Sequence, residues 1–187
     1  SLLCGRINAS AGKVALCGED ISDLPVFERI SNGIGYTFQI TSIFVNLTVY
    51  ENVALAIRKD NSNGEENSVS EVLSKVGLLD RIEQRSGDLS YGHQRLLELA
   101  MGMAQKPKLL ILDEPTQGLS DSEIENFKKL IKDISSSTTI LLIEHNMDVV
   151  MSIADNISVL HFGEIIADGD KETIQNDPIV QKAYLGD

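Results

Sequence analysis

Two adjacent carboxylates, Asp113 and Glu114, end the unbroken apolar run Leu109-Leu110-Ile111-Leu112 and precede Pro115. Such a run reads as a strand covered on both faces in a parallel sheet. Ligands of open parallel sheets sit outside the carboxyl ends of the strands. A carboxylate at that tip can hold Mg²⁺, which takes one or two carboxylates together with substrate phosphates. Successive side chains on a strand diverge, so one carboxylate can face a metal while its neighbour polarises a water. Taken alone, Asp113-Glu114-Pro115 is equally a polar turn after a core strand.

Three further groups have chemical potential. Leu89-Ser90-Tyr91-Gly92-His93-Gln94-Arg95 stands at a helix start. There Ser90 can cap and Gly92 lets the backbone approach a ligand, and N-terminal amides with the positive dipole end suit a phosphate; a plain N-cap is the competing reading. Glu144-His145-Asn146 follows an apolar strand, residues 138–143. A histidine there can touch a terminal phosphate or hold a water, although a lone histidine is more often structural. Gln39, at the end of a strand over 34–38, can position water or touch Mg²⁺. His93 and His161 have no metal-like partner in the sequence.

The elements that must position these groups alternate short β-rich runs with helical stretches, an α/β pattern. Strands are predicted over 13–17, with residues 18–20 as the following turn, over 34–38, over 108–112 and over 138–143, the last two buried. Pro25 opens a short helix through Ile30. Thr48 with Glu51, Ser68 with Glu71 and Ser120 with Glu123 have capping-box spacing and mark helix starts. Residues 58–67 are polar and read as a loop, and Gly77 reads as a helix stop. A helix spans 89–105 and another 147–154. Residues 157–160 and 164–167 form a hairpin around Phe162-Gly163, and 178–185 form a short helix. Strand-rich parts, residues 1–44 and 106–187, flank a helical middle, 45–105, which is expected to be a subdomain inserted into one α/β domain.

The chain has 187 residues, 42% of them hydrophobic, enough for one domain with a real core and too apolar for a disordered chain. Its 16 basic and 28 acidic residues leave a net charge of −12. That balance disfavours nucleic acid and anionic lipid as partners of the surface as a whole. No apolar run approaches the length of a membrane span. Cys4 and Cys17 lie at no metal-ligand spacing with histidine and read as buried small hydrophobes in a reducing compartment rather than a disulfide.

In order and spacing, Gln39, residues 89–95, Leu112-Asp113-Glu114-Pro115 and His145 together resemble the ATP-binding-cassette (ABC) ATPases, over nearly the whole chain. Ile34-Gly35-Tyr36-Thr37-Phe38-Gln39, Asn46-Leu47-Thr48-Val49-Tyr50-Glu51-Asn52-Val53, Gly118-Leu119-Ser120 and Ala183-Tyr184-Leu185-Gly186 resemble the branch serving branched-chain amino-acid and urea importers. The resemblance implies a P-loop NTPase-like core with a mostly parallel sheet and an inserted helical subdomain, with ATP and Mg²⁺ as cofactors. It makes Gln39 the Q-loop glutamine, sensing Mg²⁺ and the attacking water, and Asp113 the Walker B aspartate near Mg²⁺. Glu114 becomes the general base or water-polarising group, and His145 the switch histidine on the γ-phosphate. Ser90, Tyr91, Gly92 and His93 fall in the signature that contacts ATP held by the opposite subunit, and Ser120 falls in the D-loop. The implied partners are a second ATP-binding subunit, head to tail, and transmembrane permease subunits. The implied location is the cytoplasmic face of the inner (plasma) membrane, reached through the permease.

The departures from the pattern carry expectations too. No G-x-x-x-x-G-K-[ST] occurs in the sequence. Ser1-Leu2-Leu3 resembles the residues just after that loop, so the chain is expected to be a fragment whose core lacks its N-terminal part and which alone binds ATP feebly and does not hydrolyse it. His93 stands where glutamine is usual, Tyr91 where glycine is commonest, and Ser120 where many families place aspartate. A non-transport ABC-type ATPase and a non-catalytic interaction module with the same fold are the alternative readings.

Overall fold

The computed structural model describes residues 1–37, 42–57 and 65–185, in two compact units, Ser1–Ile143 and Glu144–Asp187. In the first unit, β1 (Ala15–Leu16) and β2 (Glu19–Asp20) pair as a minimal antiparallel hairpin. Its tip is Cys17 and Gly18, both at positive φ, so Glu19 and Asp20 form a strand rather than the expected turn, and Cys17 at that tip is exposed rather than buried. Helix α1 (Val26–Ser31) leads into β3 (Ile34–Tyr36). Helices α2 (Val49–Ala56), α3 (Glu65–Lys75) and α4 (Tyr91–Ala104) follow, then β4 (Leu109–Asp113), α5 (Asp121–Ser135) and β5 (Thr139–Ile143).

The three longer strands of this unit form one parallel sheet in the order β3-β4-β5. The central strand is buried as its unbroken apolar run requires: Leu110, Ile111 and Leu112 are all closed to solvent. β5 is not the buried strand its sequence suggests. Among the described residues it pairs with β4 alone, and the face that carries Thr139, Leu141 and Ile143 is exposed, Leu141 by 36% and Ile143 by 43%.

Helices α2, α3 and α4 share a core of Val49, Val53, Val69, Leu73, Leu78, Leu97 and Ala100. Both halves of the Thr48 capping box form: the Glu51 amide donates to Thr48 Oγ1 at 3.1 Å and the Thr48 amide to Glu51 Oε2 at 2.7 Å. α3 begins earlier than the Ser68 signal suggests, at Glu65, and ends as expected at Gly77. That residue has φ +74°, and the Leu78 amide reaches back to the Leu73 carbonyl at 2.8 Å. A second cluster, Cys4, Ile21, Ile34 and Ile111, packs the N-terminal segment on the sheet. It is latched by the buried Arg29, which donates to the backbone carbonyls of Leu2, Leu3, Ser22 and Leu24 at 2.6–3.1 Å.

The second unit holds α6 (Met147–Ile153), β6 (Ile157–His161), β7 (Glu164–Gly169), α7 (Lys171–Asn176) and α8 (Pro178–Leu185). β6 and β7 form the expected antiparallel hairpin, turning at Phe162 and Gly163, both at positive φ. Ile157, Val159, Ile174 and Val180 make its core. No helix among the described residues is long and apolar enough to cross a membrane.

Candidate functional site

β4 carries the two carboxylates to the C-terminal edge of the sheet. Asp113 is its last residue, paired in register with Ile143, and the Glu114 amide donates to the Ile143 carbonyl at 2.9 Å. Both side chains are half-buried. Asp113 Oδ2 accepts a hydrogen bond from the Tyr36 phenol at 2.9 Å. Register explains the meeting: Tyr36 stands opposite Ile111, and Asp113, two residues on, shares the face of Ile111. Burial, then the hydrogen bond to Asp113 and its negative charge, push the Tyr36 hydroxyl up to about 12. The phenol therefore stays a donor at neutral pH. Sequence reasoning passed over Tyr36, because its partner is 77 residues away.

Glu114 itself has φ +47°, in the left-handed region that side chains rarely adopt. Strain of this kind, of order 1 kcal/mol or more, collects at active sites. Among the described residues, no group of three or more His, Cys, Asp or Glu is placed to enclose a metal ion. A single half-buried aspartate at a strand tip suits Mg²⁺ shared with phosphate oxygens.

The second part of the site is the first turn of α4. Ser90 caps it: the hydroxyl accepts from the His93 amide at 3.3 Å and lies 3.1 Å from His93 Nδ1. Ser90 is exposed. Gly92 is buried beside the Glu123 carboxylate. The Tyr91 ring lies against Gly118, whose φ is +79°, and the Arg95 guanidinium sits 5.5 Å from the ring centre. Arg95 in turn pairs with Glu98 at 3.1 Å, both buried. Ser120 N-caps α5 and is exposed; its amide and hydroxyl donate to Glu123 Oε2 at 2.8 and 2.7 Å.

The structure thus brings Tyr36 to Asp113, and the turn 90–93 to the loop that follows Glu114. His145 belongs to the second unit, where it is exposed. Its amide donates to Glu144 Oε2 at 3.2 Å, and Asn146 caps α6. Gln39 lies outside the described residues. Glu123 is legible in the sequence as a capping residue, but its approach to Gly92 is not.

A parallel sheet with carboxylates at a strand tip, beside a glycine-bearing helix start, is an arrangement that α/β nucleotide-binding proteins use. Residues 1–117 match the ABC transporter family, and residues 164–187 match the family described as branched-chain amino acid ATP-binding cassette transporter. The high-affinity branched-chain amino acid transport ATP-binding protein BraF of Pseudomonas aeruginosa is 37% identical, over 99% of this chain and 80% of its own length. The lipopolysaccharide export system ATP-binding protein LptB of Haemophilus influenzae is 35% identical, over 100% of this chain and 79% of its own. The crystal structure of an ATP-binding cassette of an ABC transporter in its ADP conformation superposes with a TM-score of 0.86 at 28% identity, covering 100% of this chain and 81% of that one. The chain belongs to the ABC transporter ATP-binding family. Members of this family are ATP-binding subunits of transporters, with ATPase chemistry.

Proposed function

We propose that this chain is the ATPase subunit of an importer for branched-chain amino acids or a related small solute such as urea. The observation that carries this reading is the branched-chain cassette match along β7, α7 and α8, since an ATPase fold by itself does not distinguish one transport task from another. In this reading Asp113 and Gln39 hold Mg²⁺ with the phosphates, and Glu114 polarises the attacking water. His145 meets the γ-phosphate. Ser90, Tyr91, Gly92 and His93, with Ser120, present a helix start and its neighbouring loop to ATP held by a second, head-to-tail subunit. The chemistry is positioning and charge stabilisation rather than covalent catalysis. The subunit sits at the cytoplasmic face of the membrane through its permease, and exposed Phe44, Val45 and Leu55 offer an apolar patch for that contact.

The 187 residues contain no G-x-x-x-x-G-K-[ST], so the amide cradle and lysine that hold β- and γ-phosphates are not among them. Calorimetric titration of this chain with Mg·ATP is expected to show feeble binding and no turnover; micromolar affinity overturns that expectation. With a P-loop segment joined ahead of Ser1, turnover is expected, and Glu114→Gln should lower it at least ~100-fold. Undiminished turnover in that variant removes Glu114 from its role. The similarity to the lipopolysaccharide exporter subunit favours a second reading, an exporter ATPase, and the permeases that co-purify with the chain decide between the two.

A further inference from the structure

We infer that Glu123 is a positioning residue, whose carboxylate straps the first turn of α4 to the loop following Glu114, so that residues 90–93 and 114–120 move as one piece. Its catalytic consequence rests on the ATPase reading above, in which both segments face one nucleotide.

The two oxygens of this carboxylate have separate tasks. Oε2 accepts from the Ser120 amide and hydroxyl, which fixes the side chain at the N-terminus of α5. Those hydrogen bonds hold its pKa below the usual carboxylate range, so it stays ionised. Oε1 faces Gly92, where a methyl group would overlap it. A single negative charge therefore serves the positive ends of two helices, α4 and α5. Beside it, a Cβ on Gly118 would come within 2.9 Å of the Tyr91 ring. A cavity of about 420 Å³ lies between α4 and α5, with Gly92 and Glu123 in its wall beside Leu96, Leu99, Phe127 and Leu130. The contacts of Glu123 and Gly118 are what join the α4 start to the loop before α5. A side chain at position 92 displaces this carboxylate and disturbs its hold on Ser120.

A double-mutant cycle on this chain, read by thermal unfolding and hydrogen exchange, tests the strap without any nucleotide. In the parent, Gly92→Ala is expected to lower Tm by ~2–6 °C and to speed exchange of the Ser120 amide. In Glu123→Ala the same change should no longer destabilise, because the overlap is gone and alanine favours the helix. Glu123→Ala alone should speed exchange at residues 94–97 of α4 about 10-fold as well as at the start of α5. Equal losses of Tm in both backgrounds, or faster exchange confined to α5, overturn the inference. Should Glu123→Ala not fold, Glu123→Gln keeps the shape and the cap, so Gly92→Ala must again lower Tm there; a gain in Tm overturns the strap. A failed cycle, with Glu114→Gln still lowering the turnover of the P-loop-extended chain at least ~100-fold, sinks this inference and leaves the ATPase reading standing.

Discussion

The Tyr36 phenol holds one oxygen of Asp113 at 2.9 Å and so sets the direction of the carboxylate. Tyr36→Phe removes that hydrogen bond and is expected to destabilise the fold by about 1 kcal/mol at neutral pH, by denaturant unfolding. The pH dependence has a definite sign. The folded hydroxyl is pushed up to about 12, while an unfolded tyrosine ionises near ~10. The stabilisation is fully present below pH ~10 and is lost as pH rises toward 12, because the unfolded chain releases that proton first. The stability gap between parent and Tyr36→Phe should therefore close over that interval. In a spectrophotometric titration, one of the four tyrosines should ionise near 12 and vanish in the variant. A gap that stays constant between pH 9 and 12 refutes the assignment.

At the scale of elements, α2 is held by a residue whose importance its position conceals. Asn52 is completely buried. Its amide nitrogen donates to the carbonyls of Phe44 and Thr48 and to Ser86 Oγ, and its oxygen accepts from the Phe44 amide, all at 2.8–3.1 Å. One side chain thus ties the segment ahead of α2 to the loop that leads into α4. Asn52→Leu has similar volume but strands these backbone groups away from water, at ~1–3 kcal/mol each when unmet. The expected loss is about 3 kcal/mol, read by thermal or urea unfolding. Thr48→Ala, which removes half of an exposed capping box, should cost only about 1 kcal/mol. Equal losses for the two variants would show that Asn52 is not the tie described.

For the whole molecule, net charge and the exposed face of β5 oppose each other. The −12 charge keeps copies apart at low salt, whereas β5, paired with β4 alone among the described residues, carries exposed Leu141 and Ile143, a surface that proteins normally cover or charge. Raising ionic strength to ~0.3 M, where the Debye length falls below ~8 Å, is expected to promote self-association of this chain in light scattering. Leu141→Lys should suppress it at the same salt. Association unchanged by that substitution would place the contact elsewhere.

The sequence alone determined what is decided within a turn or a strand of chain. The Thr48 box, the Ser90 and Ser120 caps, the Gly77 stop, the Phe162-Gly163 hairpin and the buried run of β4 are all legible, because their physics involves residues within a few positions of one another. The family was legible through the order of short motifs. Only the tertiary structure decided that one face of β5 is exposed, since burial depends on which elements lie alongside and not on the strand's own composition. The same holds for Arg29 latching carbonyls at Leu2 and Leu3, Tyr36 meeting Asp113, and Glu123 closing on Gly92. Each is a contact between segments far apart in the chain, set by strand register and helix placement, for which no local propensity carries a signal.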